Sequence, residues 1–140
     1  MVSTLINVSQ EFSNPLHVKC IELICHLSRF QANSVLLSSR KDAQECLVAC
    51  GNSSIGHVRM WTMRAIQNLT TETKGKTNLA TPPILTAISA SALSNDMEEH
   101  LAAVGALLNI ATEPGMFFKS TLKGCNESCF SFILYSSKNL

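Results

Sequence analysis

One feature limits what this chain can fold into more than any other: it resembles itself at a fixed spacing. Residues 16–28, 58–70 and 99–111 align, with Leu27, Leu69 and Ile110 in one column, 42 and 41 positions apart. The preceding column holds His26, Asn68 and Asn109, and three positions before the Leu/Ile column stand Ile24, Ile66 and Leu107. A period in this range marks a stack of supersecondary units, each unable to bury its apolar face without a neighbour.

Each aligned segment is apolar on more than one side. Val58, Met60, Met63, Ala65, Ile66 and Leu69 cannot share one narrow stripe of a helix with 3.6 residues per turn, so this helix is expected to be buried on two sides. Shorter helical signals lie between. Pro82-Pro83 opens a helix over residues 84–93, since proline needs no donor in a first turn, and residues 74–80 suit one or two turns. Residues 32–38 and 41–50 are the counterparts in the first unit, the latter ended by Gly51-Asn52 as a left-handed cap. Residues 115–122 and 128–136 are the counterparts in the third. Asn95-Asp96 reads as an N-cap, with Glu98 and Glu99 favoured by the helix dipole. No alternating strand pattern is present, apart from a short apolar run at 129–135 that periodicity cannot assign.

From residue 58 to residue 93 the chain resembles the armadillo repeat: a long helix ending Asn68-Leu69-Thr70, a short helix, a turn, then a proline-led helix and a polar linker. Leu107-Leu108-Asn109-Ile110-Ala111 looks like the same ending, and the resemblance runs over about residues 14–125. It implies an all-α fold, a right-handed α-α superhelix of about three repeats in one domain over 1–140, with repeats near 14–54, 55–95 and 96–136. The first repeat departs from the family in carrying His26 where Asn is usual, and the last loses its pattern after Pro114.

The resemblance also implies a site. In armadillo proteins the third helices line a concave groove, and the Asn near each helix end binds the main chain of an extended peptide. That role falls on Asn68 and Asn109, and on the departing His26. Side chains four and seven positions earlier share that face. These are Glu22 and Lys19, then Arg64 and Trp61, then Gly105 and Ala102. Nuclear-import members of the family place a Trp four residues before the Asn. Arg64 stands there instead and, with Lys19 and Arg59, suits an acidic or mixed peptide better than a basic one. Two alternatives stand beside this: Trp61 as packed core, and Asn68 and Asn109 as ties between repeats or caps of helix ends.

Other chemistry finds little footing. Cys25 and His26 are adjacent in a helix and point about 100° apart. Cys46 and Cys50, with His57 or Cys20, and the pair Cys125 and Cys129 lack the second ligand pair of a structural zinc site. Phosphate-loop, nucleophile-elbow and metalloprotease motifs are missing from the sequence, so neither an enzyme nor a cofactor is expected. A net charge of +1 argues against nucleic acid. Without a basic-flanked apolar leader at Met1–Ile6, the six cysteines are expected to be reduced thiols. The expected setting is cytoplasmic or nuclear, with no membrane span, and the Asn-x-Ser/Thr triplets at 7, 52, 68 and 126 are expected to be chance matches.

The expected function is therefore that of a protein- or peptide-binding adaptor or scaffold. The alternatives are a structural or self-associating solenoid fragment and a regulatory subunit of an enzyme. Only 15% of residues are charged, against roughly 25% in an average domain, which favours covered ends. Leu16, Leu23 and Leu27 at one end, with Phe130, Phe132, Ile133 and Leu134 at the other, point to self-association or a truncated stack.

Overall fold

The computed structural model describes residues 1–113. Those residues form eight helices and no strand: α1 (Val2–Gln10), α2 (His17–Leu27), α3 (Gln31–Ser39), α4 (Lys41–Gly51), α5 (Gly56–Leu69), α6 (Thr73–Leu79), α7 (Pro82–Ser91) and α8 (Met97–Ala111). The expected helices at 115–122 and 128–136 lie outside the described residues. No helix among the described residues is long and apolar enough to cross a membrane.

The helices pack in three rows. Helices α2, α5 and α8 form one, α1, α4 and α7 a second, and α3 and α6 a third. Contacts between rows pair α1 with α2, α4 with α5, and α7 with α8. Spacing sets a period but leaves its phase open. Helices α3–α5 and α6–α8 take corresponding places in these rows, with α1–α2 before them. Helix α1, unmarked in the sequence reading, fills the place that α4 and α7 hold in their units.

Helix α5 shows why the period exists. Val58, Met63, Ala65, Ile66 and Leu69 are wholly buried, and Met60 nearly so, because α2 covers one flank and α8 the other. Fully burying each large apolar side chain contributes about 1.5–3 kcal/mol. Local signals agree with the packing. The Asp96 carboxylate accepts from the amides of Glu98 (2.9 Å) and Glu99 (3.0 Å) at the start of α8, a cap worth about 1 kcal/mol. Pro82 and Pro83 occupy the first turn of α7.

Two glycines are set by close approach. The expected left-handed cap at Gly51-Asn52 is not formed: Asn52 has φ −98°, and Gly51 is the last helical residue of α4. A Cβ on Gly51 would sit 3.2 Å from Ala87 Cβ and from Met63 Cε, so the side chain is missing because α7 and α5 press in. At Gly75 the constraint is harder, because a Cβ would lie 1.7 Å from the Leu69 carbonyl oxygen. Helix α6 folds back directly over the end of α5.

Glu99 does more than complement a helix dipole. It is 1% exposed, and its carboxylate takes the Arg59 guanidinium through Nε (2.9 Å) and Nη2 (3.2 Å), while Ser94 Oγ donates at 3.0 Å. Arg59 Nη1 also donates to the Ser53 carbonyl at 2.8 Å. One fork thus joins the start of α5, the loop before it and the start of α8.

Gly75→Ala is expected to destabilise the protein by about 3 kcal/mol, the upper end of the overpacking range, because backbone rather than a side chain must yield. Urea denaturation monitored by circular dichroism measures it, and an unchanged midpoint would contradict the close approach. Glu99→Ala is expected to cost about 2–3 kcal/mol in the same assay, at or just below the range for broken buried pairs. Arg59 keeps 29% of its side chain exposed and can rehydrate.

Candidate functional site

Beyond the first turn and Arg59, the residues of α5 that neither flank buries form one stripe. Trp61, Arg64, Gln67 and Asn68 are half-buried while their neighbours are sealed. Spacings of three and four put Trp61, Arg64 and Asn68 on the same face. Across from them, α2 presents Cys25 and His26, followed by Arg29 just past its end. These seven side chains line a depression of about 310 Å³ between α2 and α5.

Trp61 is its centre. The His26 ring lies 5.6 Å from the Trp61 ring, tilted by 53°. The Arg64 guanidinium carbon sits 5.2 Å from the Trp61 centroid, a cation–π distance. The indole also packs against the core. The ring is thus partly buried against the core and partly open to the depression. Arg64 Nη2 reaches the Glu98 carboxylate at 3.0 Å. Cys25, at the floor, has its pKa raised by burial, opposed by the positive charge of Arg64 and of Arg29. The thiol stays protonated at neutral pH.

The asparagines tie helices together. Asn68 Nδ2 donates to the Cys25 carbonyl (3.2 Å) and to Ser28 Oγ (3.1 Å). Asn109 Nδ2 repeats this one unit later, with the Gln67 carbonyl (3.1 Å) and Thr70 Oγ1 (3.3 Å). Each amide therefore satisfies the last turn of the preceding long helix, where carbonyls lack intrahelical partners. The same bonds tie each long helix to the one before it and close that helix's end. For Asn68, at the depression, Oδ1 is the group left for a ligand.

The remaining expected residues are dispersed. Lys19 and Glu22 pair with each other at 2.8 Å beside the depression without lining it, and the Lys19 hydrogen bond holds the Glu22 carboxyl below its ordinary range. Ala102 is 4% exposed and belongs to the core, which removes it from the expected face. Gly105 gives room to a neighbour: a Cβ there would meet Gln67 Nε2 at 2.2 Å, so its lack of a side chain lets Gln67 lie across α8. Arg59, expected to face a ligand, is committed to Glu99. Arg29 and Gln67 went unnoticed in the sequence. Arg29 was legible by stepping three positions forward from His26, whereas Gln67 carries no signal.

Among the described residues the cysteines make no centre. Cys46 and Cys50 Sγ atoms lie 3.9 Å apart, and Cys50 donates to the Ser9 carbonyl at 3.3 Å. The hydrogen bond with Cys50, together with burial, pushes the Cys46 thiol up. No group of three metal-ligating side chains occurs among the described residues. Cys125 and Cys129 lie outside the described residues. Comparison with protein-family models, curated proteins and solved structures found no match.

Asn109→Ala is expected to lose about 1–2 kcal/mol by chemical denaturation, since the Gln67 carbonyl and Thr70 hydroxyl lose a shared donor. Peptide-resolved alkylation at pH 8 is expected to label half-exposed Cys20 well before Cys25, Cys46 and Cys50, which are 4%, 1% and 0% exposed. Equal labelling rates in the folded protein would contradict that burial.

Proposed function

We propose that this chain is a protein- or peptide-binding scaffold, an armadillo-type solenoid of about three repeats that receives an extended segment along the row α2–α5–α8. The carrying observation is Trp61, held between His26 and Arg64 above an open depression. Tryptophan and arginine are residue types that dominate binding energy at interfaces. The row arrangement supports the reading, since it sets one stripe of each long helix beside the next. The tied asparagines modify it: affinity comes from Trp61, Arg64 and the Asn68 carbonyl oxygen, and the amide donors are already spent.

Trp61 is the sole tryptophan, so its emission reports on the depression directly. In a screen of extended peptides, a genuine ligand is expected to shift or quench that emission. Trp61→Ala is expected to weaken binding by about 2 kcal/mol, a hot-spot value, with folding checked by circular dichroism. A ligand whose affinity is indifferent to Trp61→Ala would place binding elsewhere.

A second reading, self-association or continuation of the stack, is favoured by the outer side of α8. Met97, Leu101, Val104 and Leu108 form an apolar stripe, with Met97 67% and Leu101 59% exposed. One unit earlier, the places of Leu101 and Val104 are held by Met60 and Met63, which are 6% and 0% exposed. Light scattering over a concentration series is expected to show reversible dimers that Leu101→Glu abolishes. A monomer at all concentrations would remove this reading.

A further inference from the structure

We propose that the α2–α5 depression takes a carboxylate side chain of an extended peptide, held between Arg29 and Arg64, with Glu98 holding the Arg64 end of the site in the free protein; the peptide groove is its premise. The observations begin with charge. Lys19, Arg40, Lys41, Arg59, Arg64 and Lys76 all have a carboxylate partner among the described residues. Arg29 and Lys74 have none, and of these two Arg29 lines the depression. Arg64 stands across from it on α5, and both positive charges are felt at the Cys25 thiol on the floor. Two guanidinium groups thus overlook one small polar basin.

The Arg64 side is prepared for exchange. Its guanidinium rests on the Trp61 face, which holds the fork in place without using its in-plane donors. Glu98 engages it through one oxygen, Oε2 at 3.0 Å, on a side chain that is 63% exposed. An exposed pair of this kind is weak and readily exchanged. An incoming carboxylate repeats the interaction already present, and gains Arg29 in addition. Glu98 therefore acts as an internal competitor. A peptide suits the basin better than a nucleic acid does. Glu22 and Glu98 flank the two arginines, and a phosphate at every step would run onto them.

The test uses fluorescence anisotropy with two labelled pools of ten-residue extended peptides, identical but for a fixed central Glu or Gln, and a single-stranded oligonucleotide. The Glu pool is expected to bind the full chain about tenfold tighter than the Gln pool, a carboxylate meeting two cations. Arg29→Gln, an exposed change that leaves Trp61 undisturbed, is expected to erase that preference. Glu98→Gln is expected to tighten the Glu pool about threefold and leave the Gln pool unchanged, consistent with a weak exposed pair. Glu98→Ala behaving alike separates loss of charge from local rearrangement.

Loosening of the Glu pool by Glu98→Gln, or no effect of it, overturns the competitor role. Equal binding of both pools, abolished by Trp61→Ala, overturns the carboxylate and keeps the groove. Binding of neither pool overturns both, and an oligonucleotide that binds as tightly as the Glu pool replaces the peptide as ligand.

Discussion

Helix α5 is buried from two directions at once. Val58, Met63, Ala65, Ile66 and Leu69 leave it no polar flank, so it requires α2 on one side and α8 on the other. Everything else follows from that need. A helix covered on two flanks keeps a single stripe for solvent, and the half-buried residues on that stripe are Trp61, Arg64, Gln67 and Asn68. Among the described residues α8 is flanked by α5, and Met97 and Leu101 are exposed.

Polar chemistry sets the offset between neighbouring helices. Apolar flanks slide, whereas an amide that must reach a carbonyl and a hydroxyl has one position along the helix. Asn68 finds Cys25 O and Ser28 Oγ, and Asn109 finds Gln67 O and Thr70 Oγ1. The repeated triad joins an asparagine to the closing turn of the preceding long helix. Arg59 and Glu99 pin the opposite ends of α5 and α8 in the same way. Gly75 completes the frame, since α6 reaches its place only where backbone can approach the Leu69 carbonyl.

The charge pattern separates structural from available cations. Lys19 and Arg59, which look interchangeable with Arg64 in a linear reading, are matched to Glu22 and Glu99. Arg64 is matched only to an exposed carboxylate, and Arg29 to none among the described residues. Among the described residues, Arg29 thus brings an unmatched positive charge to the Trp61 depression.

Much of this was legible from residues 16–28, 58–70 and 99–111 alone. Their period required stacked helices, their all-round apolarity required double burial, and Asp96 announced where α8 begins. These are local or translational properties, and sequence spacing carries them. The rows into which the helices sort were not legible, because a period does not say which helices pack side by side. Nor were the partners of Asn68, Asn109 and Glu99. Each has a sound local reading, as ligand-binding amide or dipole-complementing acid, and each takes a partner about forty positions away. Gly105 and Ala102 fell on the expected face, yet one makes room for Gln67 and the other is core. Sequence alone determined that α5 must be sandwiched. Which polar atoms would be consumed in holding it, and which would remain for a ligand, depended on the offset between helices, and only tertiary packing sets that.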